Sequence, residues 1–310
     1  MSNHDDNRNI TVGDEKPIDI VMRSHNDMAS LPETLNAIAR QDYPCRLFVL
    51  DNQSTDGSRE LVEQHAERVV HVPRGTYIPG RVLNRGMQIT ESEIVVFINA
   101  DCLPCDTRWL RELVEVMQKE KCAAVFGRQV PRPGCHPLYA KDTEDTFGDG
   151  HLQARWKHCF SMASSAIRRS VWNEMRFDEE IQYSEDIDWT WRAVQAGHAV
   201  RYVAESRVFH SHNYTLGQAY RRQFGEGEAE AFIFDWPLRN RRLLRYTIAP
   251  LLRRILSDWR FCLRHGYVRS LLFSPVLRTV QAIGRRQGFR RGLRSRKRRD
   301  ASLRKGMPVS

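Results

Sequence analysis

The chain is poor in cysteine and in long apolar runs. Seven cysteines in 310 residues do not make the disulfide framework of a small secreted protein, and no secretory signal precedes them. Both features point to a reducing cytoplasm. No stretch approaches the roughly 20 apolar residues that span a bilayer. Also missing are a Walker loop and a Gly-x-Gly-x-x-Gly fingerprint, which weighs against P-loop kinases and dinucleotide-dependent dehydrogenases. Cys102-Leu103-Pro104-Cys105 has redox-motif spacing. It lacks a thioredoxin-like setting or a second pair to complete a zinc site, so the spacing reads as coincidence. What remains is 41% hydrophobic and 28% charged, the make-up of an ordinary folded protein. The length suits one large α/β domain with an appendage, or two small domains.

Positive charge is in surplus, at a net +10. The excess lies after Leu238 and peaks late, where Arg290, Arg291, Arg294, Arg296, Lys297, Arg298 and Arg299 cluster. Just before that cluster, Leu243, Leu244, Ile248, Leu251, Leu252 and Ile255 follow a helical period among Arg241, Arg242, Arg245, Arg253 and Arg254. Trp259, Phe261, Leu271, Leu272 and Phe273 continue it. A basic amphipathic helix lies well in a membrane interface, so an anionic membrane surface is the expected partner of this segment. The competing reading is a helical subdomain packed on the core, with a solvated basic end. Nucleic acid is not expected, because the Arg run has neither interleaved aromatics nor a recognised module.

Upstream, strand-like and helix-like patterns alternate. Residues 18–22, 47–50, 69–72, 94–98, 123–126 and 199–209 read as strands, and residues 161–167 as ordered structure of unassigned type. Residues 31–38, 58–67, 80–88, 109–117 and 186–196 read as helices, with Gly197 as a helix stop. This βαβα order with short loops predicts an α/β fold: a mixed, mainly parallel sheet flanked by helices. Residues 131–155 are rich in Pro, Gly, His and acid, and read as a long loop over the site. The expected domains are a flexible tail (1–16), the α/β domain (17–237), an amphipathic helical extension (238–284) and a basic disordered tail (285–310).

Two acidic clusters carry the chemistry. Ile94-Val95-Val96-Phe97-Ile98 reads as a buried strand, and Asn99-Ala100-Asp101 follows it. A carboxylate there sits at the carboxyl end of the sheet, where open α/β folds bind ligands, and hard cations take such oxygens. Downstream, Ser184-Glu185-Asp186-Ile187-Asp188 opens a helix. The macrodipole would lower the pKa of these acids, which suits ionised bases able to deprotonate a hydroxyl. Asp51 opens the turn Asn52-Gln53-Ser54-Thr55-Asp56-Gly57 after a strand and can accept from a nucleotide base or ribose, with Asp56 capping the next helix. His210 and His212 close the last strand facing one side, and His210, at the strand terminus, is placed near the metal.

In this order the pieces resemble a family 2 glycosyltransferase with the GT-A (Rossmann-like) fold. The resemblance covers about Pro17 to Pro237. It rests on Arg23-Ser24-His25-Asn26 through Gln41-Asp42-Tyr43-Pro44, Val49 to Ser58, Phe97 to Asp101, and Ser184 to Asp188. It implies an inverting displacement on a nucleotide-sugar donor by a hydroxyl of a saccharide or lipid-linked acceptor, with Mg²⁺ or Mn²⁺ as cofactor. Asp101, which closes an Asp-x-Asp motif whose first position is Asn99, would hold that ion, with His210 added by its place at the strand terminus. Asp186 matches the base, flanked by Glu185 and Asp188. Arg23, Asp51, Arg81, Asn84 and Asn99 would contact the donor. Leu83 stands where many relatives carry Arg, with Arg81 or Arg85 as the replacement cation. Val208 to Tyr214 and Tyr220 to Gly227 look most like bacterial rhamnosyltransferases of cell-surface polysaccharide. The expected location is cytoplasmic, peripheral on the inner face of the inner membrane. The rival activity, a sugar nucleotidyltransferase, would need a Gly-rich, Lys-containing loop near the first strand, and residues 20–27 offer none. A catalytically inactive scaffold is the other alternative.

Overall fold

The computed structural model describes residues 15–151, 159–234 and 243–304. Strands β1 (Ile18–Ser24), β2 (Cys45–Asp51), β3 (Arg68–His71) and β4 (Ile94–Asn99) form the first part of one eight-stranded sheet. The others are β5 (Leu103–Pro104), β6 (Ala124–Val130), β7 (Ser164–Arg168) and β8 (Val200–Phe209). Their spatial order is β3-β2-β1-β4-β7-β6-β8-β5. The β1–β2, β1–β4, β2–β3 and β6–β8 pairs are parallel, while β7 runs antiparallel between β4 and β6.

The helices are α1 (Leu31–Ala39), α2 (Ser58–Glu63), α3 (Pro79–Ile89), α4 (Trp109–Glu120), α5 (Pro137–Thr146), α6 (Arg169–Glu174) and α7 (Glu185–Gln195). Side chains alternate across the sheet with the two-residue period of a strand. Ile20, Met22, Val49, Val96 and Ile98 meet α1 and α4 on one face. Val21, Phe48, Leu50, Val95 and Phe97 meet α3, α6 and α7 on the other. Burial on both faces explains the unbroken apolar runs of β1, β2 and β4.

Two segments differ from expectation. The stretch 131–155 is not all loop, since it contains α5. Pro137 occupies the first helical turn, and His136 Nδ1 accepts from Leu138 N at 3.2 Å, a start that a Pro- and His-rich stretch conceals. The expected disordered tail is also helical through residue 304. Helices α8 (Leu216–Ile233), α9 (Ala249–His265) and α10 (Val268–Arg304) form the C-terminal region, with a short π-helical stretch, Leu244–Ile248, leading into α9. The expected boundary at 237 and most of the tail 1–16 lie outside the described residues.

Helix α10 packs on α8 through glycine. A Cβ on Gly288 would stand 1.9 Å from the Phe224 carbonyl oxygen, and Gly284 and Gly292 repeat this against Tyr220 and Glu228. Glycines four apart on one helix face let two backbones meet closely. A buried ion pair then fastens α10 to the rest. Arg278, 1% exposed, donates to Asp258 of α9 at 2.7 Å and to both oxygens of Asp142 on α5 at 2.6 and 2.8 Å. Ser274 adds a 2.6 Å hydrogen bond to Asp258. The apolar residues of the extension therefore divide. Phe261, Leu271 and Phe273 pack with Leu138, Tyr139 and Leu277. Leu244, Ile248, Leu252, Leu256, Trp259 and Leu263 lie in an exposed stripe. No helix among the described residues is long and apolar enough to cross a membrane.

Candidate active site

Strand register assembles the site. Arg23 on β1 lies beside Asn99 on β4, and Ser24 beside Asp51 on β2, so these residues share the carboxyl edge of the parallel sheet. Arg23 donates Nε and Nη2 to Asn99 Oδ1 at 3.1 and 2.9 Å, and Nη1 to Glu185 Oε1 at 3.2 Å. The short β5 pairs Leu103 with Phe209 at the end of β8. That pairing carries His210 and His212 to Asp101, over a hundred residues away in sequence.

Both imidazoles approach one carboxylate oxygen: Asp101 Oδ2 is 3.5 Å from His210 Nε2 and 3.4 Å from His212 Nε2. Gln129 on β6 orients the first ring. Its Oε1 accepts from His210 Nδ1 at 2.7 Å, while its amide donates to Ser161 at 2.8 Å. That contact fixes the His210 ring with Nε2 toward Asp101, as outer partners of metal-binding histidines do. Burial pushes the Asp101 carboxyl up, but His210, with His212, more than reverses this and holds it at about 2. Burial, the neighbouring His210 and nearby arginines lower the pKa of His212.

An ionised carboxylate facing imidazole nitrogen suits an ion that takes oxygen and nitrogen, such as Mg²⁺ or Mn²⁺. Cys102 Sγ belongs to the same cluster, within 4.8 Å of the other two ligand atoms. Burial and the Asp101 charge push its thiol well above the ordinary range, and hard cations such as Mg²⁺ or Mn²⁺ prefer oxygen to sulfur.

Across the cleft, Ser184 takes a left-handed conformation (φ 58°) and turns the chain into α7. Its hydroxyl donates to Glu226 on α8 at 3.0 Å. Asp186 then points inward, accepting from Met162 N at 3.0 Å and from Ile187 N at 2.8 Å. Burial, then the charge of Glu185, push its carboxyl up to about 7 despite those two N–H groups. The expected lowering by the helix N-terminus is thus reversed, because desolvation acts on the whole charge and the macrodipole on a fraction of it. Glu185 pairs with Arg23 at 3.2 Å and Asp188 with Arg192 at 2.8 Å.

The cleft has a volume of about 820 Å³ and is lined by Arg23, Glu185, Asp186, His210, His212 and Arg222, among others. Arg222 is a contributor that sequence reasoning did not single out. It donates to the Tyr214 hydroxyl at 2.7 Å. Arg132, also missed, donates to the Asp101 carbonyl at 2.7 Å. Neither carries a sequence signal beyond being one Arg among many.

The other residues expected to contact the donor have protein partners. Asn84 is buried, with its amide donating to Phe177 O and Glu179 and its oxygen accepting from Trp172 Nε1 and Phe177 N. It pins α3 to the 177–179 turn. Arg81 pairs with the same Glu179 at 3.5 Å, Arg85 is exposed, and Leu83 is fully buried in the core. Helix α3 therefore turns no cation into the cleft. Asp51 is fully buried and faces Ser54 N at 3.3 Å, Arg59 at 3.4 Å and His71 at 3.5 Å.

Residues 19–176, just over half of the chain, match the model of Glycosyl transferase family 2. The chain belongs to that family. It is 30% identical over 207 residues to the O-antigen chain rhamnosyltransferase WbaN of Salmonella anatum, covering 63% of this chain and 66% of that protein. It is 28% identical over 223 residues to the O-antigen chain rhamnosyltransferase RfbN of Salmonella typhimurium, covering 68% and 71%. The chain thus spans about two thirds of the length of these relatives. The mannosyltransferase PcManGT of Pyrobaculum calidifontis, solved with GDP-Man and Mn²⁺, superposes with a TM-score of 0.59 at 17% identity, over 88% of this chain and 89% of its own. This likeness establishes the GT-A fold for the family 2 chain.

Proposed function

We propose that this family 2 glycosyltransferase moves a sugar, with rhamnose the first choice, from a nucleotide-sugar donor to a hydroxyl of a growing surface glycan or lipid-linked saccharide. The observation that carries this reading is two unlike carboxylates at one cleft: Asp186 lines it, and Asp101 stands beside His210 and His212, which also line it. Asp101 is held ionised beside two histidines, while Asp186 titrates near neutrality. Environments that separate two acids in this way assign them different tasks.

Asp186 is the base. A carboxylate that ionises near pH 7 is strong enough to take an acceptor hydroxyl's proton as the oxygen attacks, yet is mostly ionised at working pH. Glu185 keeps Asp186 basic through its charge and anchors Arg23 in the cleft wall. Arg23 in turn fixes the carbonyl of Asn99, leaving the Asn99 amide N–H groups for the donor. Asp51, at the same sheet edge, is assigned to the nucleotide end. Asp101 and His210 would hold the divalent ion. When bound, that ion neutralises the leaving diphosphate. Attack opposite the leaving group inverts the sugar's reacting carbon.

The exposed stripe on α9 supports peripheral contact with an anionic membrane surface, where a lipid-linked acceptor would be presented. Leu244 and Leu263 are 71% and 73% exposed, and Arg245, Arg253, Arg260 and Arg264 are interspersed with them. Apolar insertion and basic flanks act together on such a surface. The test of the transfer reading is turnover of dTDP-rhamnose, UDP-sugars and GDP-sugars with a saccharide acceptor, in wild type and Asp186→Asn. Equal turnover in both would remove Asp186 from the reaction.

A further inference from the structure

A second cavity, of about 330 Å³, opens beside the cleft between α8, α9 and α10. Gln223, Arg254 and Gln281 line both spaces. The cleft reaches Glu226 on α8 and the cavity reaches Glu230, about 6 Å further along at the ordinary helical rise. Its walls hold four guanidinium groups, from Arg254, Arg278, Arg285 and Arg286, and a single carboxylate, Glu230.

The four arginines are unequally neutralised. Arg278 has Asp258 and Asp142, and Arg254 shares Asp142 at 3.2 Å. Arg285 pairs with Glu230 at 3.0 Å. Arg286 reaches the Thr247 hydroxyl at 3.3 Å and has no carboxylate partner among the described residues. The four arginines thus face three carboxylates, Asp142, Asp258 and Glu230. Burial lowers the pKa of Arg285 and Arg286, with Arg290 adding to the effect at Arg286. An entering anion would relieve both. Guanidinium forks match the oxygens of phosphate.

On its outer side the cavity is walled by Tyr246, Pro250 and Leu251, with the exposed Leu244, Ile248 and Leu252 one step round the same helical stretch. An anion held here sits between the cleft and an apolar face. We propose that this cavity is a phosphate subsite for the acceptor: it takes the phosphate or diphosphate of an acceptor whose sugar hydroxyl lies at Asp186. The assignment rests on the glycosyl-transfer reading.

The test is calorimetry on the full chain in EDTA, with farnesyl diphosphate, inorganic pyrophosphate and farnesol, comparing wild type with Arg286→Gln and Arg254→Gln. Both diphosphates should bind and farnesol should not. Each variant should weaken diphosphate binding by about tenfold or more, the worth of one charge-assisted hydrogen bond. Tighter binding of farnesyl diphosphate identifies a lipid-linked acceptor, and equal binding a soluble phosphorylated one. A parallel titration of nucleotide-sugar donors with Mn²⁺ should be unchanged by Arg286→Gln, whose side chain lines the second cavity and not the cleft. Normal donor binding with no diphosphate binding, or diphosphate affinity untouched in both variants, overturns the subsite alone. Absence of donor binding in folded wild type overturns the transfer reading and the subsite together.

Discussion

Replacing Asp186 with Asn tests the base assignment through pH as well as rate. In the wild type, the carboxyl is pushed up to about 7 by burial and by Glu185. A base must be ionised to act, so kcat/KM should rise with pH through 7. About a tenth of the enzyme is competent at pH 6 and about nine tenths at pH 8, a change of roughly tenfold. Asp186→Asn should lower turnover by about 10²–10⁴, the usual contribution of a positioned base, and abolish that rise. The amide can accept from only one of the Met162 and Ile187 N–H groups, so about 1 kcal/mol of stability is lost with the other hydrogen bond. The raised pKa acts in the opposite direction. A folded-state pKa above the unfolded value stabilises at low pH, and that contribution is lost as pH rises through about 7. The variant should therefore melt closest to wild type, or above it, at pH 8 and compare worst at pH 5. The assay is initial rate at saturating donor between pH 5.5 and 8.5, with melting curves on the same samples. A rate profile in Asp186→Asn that keeps the wild-type rise would refute the assignment, because another group would then be titrating.

Other expectations concern the C-terminal region. Arg278→Ala strands Asp258 in a buried site without its partner and should cost about 3–5 kcal/mol, read as a lower denaturant midpoint; an unchanged midpoint would mean the ion pair is dispensable. Gly288→Ala places a methyl against the Phe224 carbonyl. It should destabilise by about 1–3 kcal/mol, and a fully wild-type melting curve would show that α10 does not pack on α8 as described. Leu256→Glu with Leu263→Glu should cut sedimentation with anionic vesicles while sparing turnover of a soluble acceptor; undiminished sedimentation would rule out the α9 stripe as the membrane contact.

Where a pattern depends on neighbours in sequence, it was legible. The β-branched runs of β1, β2 and β4 announce strands buried on both faces, and the acid just past β4 announces the sheet edge that binds ligands. Contacts that depend on pairing were not. His210 could be set near the metal by its place at the end of the last strand, but the pairing of Leu103 with Phe209 brings both histidines to Asp101, and two residues of β5 leave almost no strand signal. Gln129 is one polar residue in β6 until its contact with His210 is seen. Asn84 reads as a donor contact because relatives carry Arg-Asn in this helix; three residues from 172 to 179 account for its side-chain hydrogen bonds. The basic tail reads as disorder because Gly and Arg are frequent in it. In the fold those glycines are the face that lets α10 touch α8. The macrodipole argument for Asp186 failed on burial, which the spacing of acids along a helix does not reveal.

The measurement that bears most directly on the central claim is a calorimetric titration of nucleotide-sugar donors into the full chain with and without Mn²⁺, in wild type and Asp101→Ala. Binding of one donor that requires Mn²⁺ and is lost in Asp101→Ala is the predicted result. Donor binding of equal strength without the ion, or binding retained in Asp101→Ala, would contradict a metal held by Asp101 and His210 at the donor diphosphate.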